Sequence, residues 1–379
     1  MKKILFFQWN SFMNQEIERA LQKIRVEYET FFYQFTDWEE DENFLDKFRK
    51  KVRGECYACV LSVNFSPLIS NVCEELGVRY ISWVYDSPIH IRNLEPLRNS
   101  CNRIYFFDRG QAENYKKEGI TAFHLPLAVD AELREKVIAQ GKKHSINDIS
   151  FVGQLYQTEY AQYSGLLPDY LKGYLEGIIN AQSKVYGGYL LEELLTDELL
   201  EEINDVYAKV TNDKFQIEKR ELEYMLNCEI TWRERYMALS LLANKYQVCL
   251  YAPEKYELHS NIKQNGYVNY YEEMPYVFAN SKINLNISLK SIRTGIPLRV
   301  LDILGCGGFL ITNFQEELLD YFSIGEDIEV YTDLGDLREK ADFYLKNDEI
   351  RKQIAESGLR KVKKEFTFEQ RMEQIFRDI

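Results

Sequence analysis

The chain has 379 residues, 60 acidic against 47 basic side chains, and a formal net charge of −13. That negative excess excludes nucleic acid as a long-range partner, because attraction of a phosphate backbone needs a positive field. The length suits two domains rather than one core, 27 tyrosines and 22 phenylalanines supply both interiors, and no apolar run is long enough to span a bilayer.

Met1-Lys2-Lys3 leads straight into a strand rather than a leader, so a cytoplasmic protein is expected. Seven cysteines, an odd number without regular spacing, fit reduced thiols. Cys56 and Cys59 form a C-x-x-C at the start of an apolar strand, whereas a redox pair opens a helix, and no second pair completes a zinc site. No metal site is predicted.

Lys2 to Phe7 reads as a buried strand ending in the polar turn Gln8–Asn10, followed by a helix over Met13–Ile24 with Ile17, Ala20, Leu21 and Ile24 on one face. A strand near Glu29–Tyr33, an acidic loop over 37–43, a helix over 44–52 and a strand over Tyr57–Val63 come next. Pro67–Leu76 is a helix stopped by Gly77, and Val78–Tyr85 is a strand. This alternation predicts a doubly wound sheet with Asn10, Asn64 and Asp86 at its strand ends. In W-V-Y-D-S-P-I-H, Asp86 at a strand's carboxyl end, beside a proline turn and His90, is the candidate base for an acceptor hydroxyl. The alternative is that Asp86 caps the next turn and His90 is an ordinary loop histidine. A strand over 103–108, a helix over 111–118 and a strand over 121–125 complete this half, and the polar segment 131–147, with Gln140-Gly141-Lys142-Lys143, is expected to be a linker.

A strand from Asp148 opens the second half and ends at Gly153, where the backbone can approach a phosphate or sugar. From about 157 to 245 leucines recur at helical spacing between acids, which predicts a helical insertion that covers a cleft, recognises an acceptor or joins a second copy in a homo-oligomer. A strand over 246–251 follows, and a helix over 272–279. Tyr251, Tyr267 or Tyr270 are candidates to stack on a base, with core packing as the alternative. A strand at 329–331 and helices over 334–346, 349–364 and from Thr367 close the chain.

The stretch 282–314 organises the rest. Ile283, Leu285 and Ile287 alternate with Asn284 and Asn286, a turn follows at Thr294-Gly295-Ile296-Pro297, a helix runs from Pro297 and stops at Gly305 to Gly308, and Phe309–Thr312 is a strand. Lys290, Arg293 and Arg299 bring three cations to the turn, and Gly295 lets backbone come close to what they hold, so a phosphate-bearing ligand is expected. The alternative is a solvated basic rim. Arg299 at a helix start opposes the macrodipole unless an anion intervenes, and Asp302 lies one turn on, within reach of a sugar hydroxyl. Asn286, at the strand's end, joins the donor-binding set.

The run S-I-R-T-G-I-P-L-R-V-L-D-I-L-G-C-G-G-F-L-I-T-N resembles the C-terminal signature of CgeB-like, spore-maturation type glycosyltransferases, which have the GT-B architecture. The resemblance extends to 316–322, to the segment from Val330, to F-T-F-E-Q-R at 366–371, and upstream to S-V-N-F-S-P-L-I-S-N-V-C and W-V-Y-D-S-P. It implies an α/β fold of two Rossmann-like doubly wound domains facing a cleft: 1–130 for the acceptor, 148–366 for the donor, and a final helix over 367–379 crossing back to the first domain. It implies a hexosyltransferase that moves sugar from a nucleotide-diphosphate sugar, a UDP-sugar first, to a hydroxyl of a surface glycan or protein. No other cofactor is implied. Gly266-Tyr267-Val268 would be a strand whose backbone binds the base. Of the two glutamates eight positions apart in glycogen-synthase-like relatives, Thr294 stands at the first and Asp302 at the second, which would hold the ribose. Arg293 and Arg299, with Lys290, would offset charge on the departing diphosphate; no D-x-D occurs, which fits metal-independent transfer. The rivals are a nucleotide-sugar enzyme of epimerase type and a non-catalytic binding subunit.

Overall fold

The computed structural model describes residues 3–141, 147–211 and 215–377. The chain divides into two units: Met1–Ala131 with Thr294–Leu301 and Lys361–Ile379, and Glu132–Arg293 with Asp302–Arg360.

In the first unit six short strands, β1 (Ile4–Gln8), β2 (Tyr28–Phe32), β3 (Cys59–Val63), β4 (Arg79–Val84), β5 (Asn102–Phe106) and β6 (Ala122–His124), pair in parallel in the order β2-β1-β3-β4-β5-β6. β1 and β3 are almost wholly apolar because helices cover both faces of a parallel sheet. The helices start where the sequence supplies caps. Asp41 accepts the Phe44 amide at the head of Glu42–Gly54, and Ser66 and Pro67 open Pro67–Leu76, which Gly77 ends at φ 65°. Phe7, Phe35, Phe44 and Phe48 form an aromatic core. The strand order reverses at β1, so the carboxyl ends of β1 and β3 part into a crevice. The helix Phe368–Phe376 belongs to this unit: the Phe368 ring meets Trp83 at 5.9 Å and Arg371 Nε donates to the Pro126 carbonyl at 2.8 Å.

The second unit repeats the plan. β7 (Asn147–Val152), β8 (Val248–Tyr251), β9 (Ile262–Gln264), β10 (Ser281–Asn286), β11 (Leu310–Asn313) and β12 (Glu329–Tyr331) run parallel in the order β12-β11-β10-β7-β8-β9, and the reversal at β7 opens a crevice toward β10. Helices Asp169–Ser183 and Asp197–Thr211 and the first half of Lys219–Ala243 enclose a separate core of Leu171, Leu175, Ile203, Leu222 and Leu226.

Several expectations are corrected here. The segment 131–147 holds a helix, Ala131–Gln140, so the polar run misled; Lys142 and Lys143 lie outside the described residues, as do Lys2 at the start and the last two positions of the final helix. The span 157–245 is not one insertion, because Ala238, Leu239, Leu242 and Ala243 pack in the sheet's core. Gly266-Tyr267-Val268 is not a strand: β9 ends at Gln264 and Gly266 turns the chain at φ 79°. The span 148–366 is not one unit, since Thr294–Leu301 and the chain from Lys361 fall in the first. No helix among the described residues is long and apolar enough to cross a membrane.

Candidate functional site

The second unit's crevice is built on β10. Its asparagines do not alternate toward water: Asn284 and Asn286 are 0% and 5% exposed, because β10 is central and covered on both faces. Each is satisfied internally. Ser150 Oγ donates to Asn284 Oδ1 at 2.8 Å, and Asn286 Nδ2 donates to Thr312 Oγ1 at 2.9 Å and Ser288 Oγ at 3.3 Å. Gly153 ends β7 at φ 149°, a conformation that favours glycine, and an added Cβ would touch only the Phe151 ring, at 3.7 Å.

The helix Lys219–Ala243 brings Thr231, Glu234 and Arg235, spaced three and four apart, to this crevice. Arg235 is buried over the rings of Phe151 and Tyr156, at 5.1 and 4.9 Å. Its Nε donates to the Ile287 carbonyl at 3.1 Å and its two terminal nitrogens to the carbonyls of Ile287 and Gln154, which ties the end of β10 to that of β7. Lys290 is 7% exposed; its Nζ lies 2.9 Å from Glu234 and 4.5 Å over the Tyr186 ring, and its amide donates to Thr231 Oγ1 at 3.0 Å. Glu234 also accepts from Tyr331 Oη at 2.9 Å, and burial pushes that phenol well above its ordinary pKa, with Glu234 adding to the rise. Lys290 is therefore neither a solvated rim cation nor an uncompensated clamp: its charge is matched inside the fold. Sequence reasoning missed Glu234 and Arg235; charged residues in an otherwise apolar helical run were the signal for them.

Arg293 pairs with the exposed Glu192 at 2.5 Å and lies 4.6 Å over the Tyr189 ring. Asp302 is 1% exposed, accepts from Tyr270 Oη at 2.7 Å and lies 3.5 Å from Arg134, whose guanidinium stacks 4.4 Å over the Tyr270 ring. That buried trio engages the Asp302 carboxylate and both groups of Tyr270, so neither stands open to a ribose or a base. Tyr251 is half-buried and accepts from Asn147 Nδ2 at 3.0 Å, while Tyr267 is 65% exposed.

In the first unit, Thr294 and Gly295 sit on the head of the helix Arg109–Lys117. The buried Asp108 caps that helix by accepting from the Gln111 amide, and the Thr294 hydroxyl and amide donate to the same carboxylate at 3.1 and 3.3 Å. A Cβ on Gly295 would lie 2.8 Å from Asp108 Cα. The close approach expected of Gly295 toward a ligand is thus an approach to the protein's own backbone. Arg299 is half-buried in the first turn of the helix Leu298–Gly305.

At the ends of β1, β3 and β4 lies a pocket of about 180 Å³. Trp9 and Trp38 wall it, their rings 4.9 Å apart and steeply inclined, with their indole N–H groups donating to the carbonyls of Val63 and Phe65. Asp86 and His90 stand exposed at its mouth, and Asn64, at φ 59°, donates to Asp86 Oδ2 at 2.7 Å and accepts from the Tyr85 amide. Surrounding protein raises the Asp86 pKa above the ordinary carboxylate value, and His90 pulls it down. The structure brings Asp86, His90 and Asn64 together; the two tryptophans were hidden in segments that read as a polar turn and an acidic loop.

The C-x-x-C pair has no redox geometry. All seven cysteines are free, and burial pushes the Cys59 thiol up to about 12, where it is a poor nucleophile. Among the described residues no cluster of three or more His, Cys, Asp or Glu could hold a metal ion.

Residues 231–377, from Thr231 through Arg235, Lys290, Arg299 and Asp302, match the glycosyl transferase-like family. An uncharacterized protein of Aquifex aeolicus is 30% identical over 129 residues, 33% of this chain and 31% of that protein, so the match spans about a third of that curated relative's length. Among solved structures, sucrose-phosphate synthase from Thermosynechococcus elongatus is similar at TM-score 0.57 and 9% identity, over 100% of this chain and 98% of that one. Anabaena HepE in complex with UDP and glucose gives 0.54 at 9% over 100% of both chains. The alpha,alpha-trehalose-phosphate synthase (UDP-forming) of Burkholderia vietnamiensis gives 0.52 at 9%, over 100% and 98%. The chain therefore has the fold of GT-B glycosyltransferases, and its C-terminal part carries the glycosyl transferase-like pattern.

Proposed function

We propose that this protein is a glycosyltransferase that moves a sugar from a nucleotide-diphosphate sugar to a hydroxyl of a glycan or protein acceptor. The observation that carries the reading is the family match over 231–377, which falls on a parallel sheet whose strand order reverses between Gly153 and Asn286. A UDP-sugar is the favoured donor, supported by the UDP-bound and UDP-forming neighbours. The S-I-R-T-G-I-P-L-R-V-L-D run supports the CgeB-like subfamily, and seven free thiols support a cytosolic location.

The residues divide the work as follows. Arg293 exchanges Glu192 for the donor's diphosphate, at little cost because half-exposed ion pairs contribute at most about 1 kcal/mol. Arg299 offers a guanidinium against charge that grows on a leaving diphosphate, in place of a divalent ion. Gly153 offers close backbone approach, and Tyr267 an exposed ring for the base. Arg235 and the Glu234–Lys290 pair hold the ends of β7 and β10 in place, and Asp302 positions Tyr270 rather than a ribose. In an inverting transfer Asp86 would take the proton from the acceptor hydroxyl as its oxygen bonds to the anomeric carbon and the bond to the diphosphate breaks. Its raised pKa makes it a stronger base than an ordinary aspartate.

A thermal-shift panel of nucleotide sugars tests the reading, because a ligand that binds only the folded state raises Tm. One UDP-sugar is expected to do so, and Arg299→Ala to lower turnover at least tenfold, about the loss of one charge-assisted contact. No shift with any nucleotide sugar, or an unaffected Arg299→Ala, contradicts it.

A further inference from the structure

The tryptophan-walled pocket of the first unit carries more than a general base, and this inference rests on the glycosyltransferase reading above. We propose that it binds one uncharged sugar ring of the acceptor and discriminates against sugar phosphates.

Three observations carry this. The first is size: about 180 Å³ lies below the roughly 300 Å³ at which pockets for drug-sized ligands begin, so it admits a single ring rather than an extended chain. The second is what the walls offer. Both indole N–H groups are spent on the backbone carbonyls of Val63 and Phe65, so what Trp9 and Trp38 offer the pocket is ring carbon, face and edge, rather than a donor. Such faces match the C–H face of a pyranose, while Asp86 and Asn64 at the same pocket hydrogen-bond ring hydroxyls. The third is charge. No lysine or arginine is among the lining residues, the one basic side chain there, His90, stands beside the Asp86 carboxylate whose pKa it lowers, and Arg92, beyond the pocket, is paired with Asp37 at 2.7 Å and Glu39 at 3.5 Å. A phosphate needs a guanidinium or ammonium partner that this pocket does not present. The pocket thus reads a neutral ring by stacking and repels an anionic one.

Isothermal titration calorimetry on the full chain tests this, with methyl glucoside, galactoside and mannoside against the corresponding hexose 6-phosphates. UDP-sugar thermal shifts run in parallel. At least one methyl glycoside is expected to bind, at least tenfold tighter than its 6-phosphate. Trp38→Ala should weaken that binding at least tenfold without moving the UDP-sugar shift, and Trp38→Phe, which keeps an aromatic face and guards against a folding defect, should restore most of it. Asp86→Asn should narrow the preference over the 6-phosphate at least threefold. Binding of 6-phosphates as tight as methyl glycosides overturns the inference. So does an absence of saccharide binding while a UDP-sugar still raises Tm, or binding of tyrosine amide in place of the glycosides. Glycoside binding without any nucleotide-sugar shift upholds it and overturns the sugar-transfer reading instead.

Discussion

The two sheets share one plan, six parallel strands with a single reversal of order, yet their crevices are furnished in opposite ways. In the first unit the ends of β1, β3 and β4 leave a hollow, and Asp86 stands at its mouth with the Asn64 amide as its neighbour. In the second, the protein fills the corresponding place itself: Arg235 binds the carbonyls of Gln154 and Ile287, and Glu234 neutralises Lys290. Topology decides where a crevice forms; side chains decide whether it is left vacant or knit shut. The first is shaped to take an acceptor ring, and the second holds its strand ends at fixed spacing beside Gly153, Arg293 and Tyr267, the residues proposed to meet the donor.

Substitutions in the two crevices should have unequal effects. The largest effect is expected at the vacant crevice. Asp86→Asn should lower kcat/KM by on the order of 10²–10⁴-fold with no loss of fold, as for removal of a general base. The wild-type pH profile should agree in sign. A base works deprotonated, Asp86 has its pKa raised, so activity should fall with decreasing pH through a value above that of an ordinary aspartate, and Asp86→Asn should abolish that limb. At the knit crevice, Arg235→Ala should cost on the order of 3 kcal/mol in denaturant unfolding, because it leaves buried carbonyls unpaired. Arg235→Lys should recover only part, since an ammonium cannot fork to both strand ends. Gly295→Ala should cost about 1–3 kcal/mol by forcing a Cβ against Asp108, with Tm as the readout. The smallest effect belongs to the half-open pair: Glu192→Gln should change stability by less than about 1 kcal/mol and tighten UDP-sugar binding a few-fold by freeing Arg293.

Much of the fold was legible in the sequence because its signals are local. Pro67–Leu76 carries a serine cap, a first-turn proline and a terminal glycine, and the strand Glu329–Tyr331 and helix Leu334–Lys346 lie where the pattern puts them. What stayed hidden depends on distant partners. A period of two marks Asn284 and Asn286 as alternating polar positions, but only the neighbouring strands show that they are buried and bonded. Helical spacing finds Lys219–Ala243 without revealing that its second half serves the sheet and delivers Arg235 to a crevice. Arg134 lies in a helix masked by a polar run, and nothing local couples it to Asp302, 168 positions away. Gly295 announced a close approach, and the chain alone could not say that Asp108 was its target.

The central claim is that this chain transfers sugar from a nucleotide-diphosphate donor, and acceptor-dependent release of UDP tests it most directly. With the UDP-sugar that raises Tm, UDP release should rise saturably with a neutral glycoside acceptor, together with a glycoside product one sugar longer. A donor left intact whatever acceptor is supplied, or converted to an epimer without one, would contradict it.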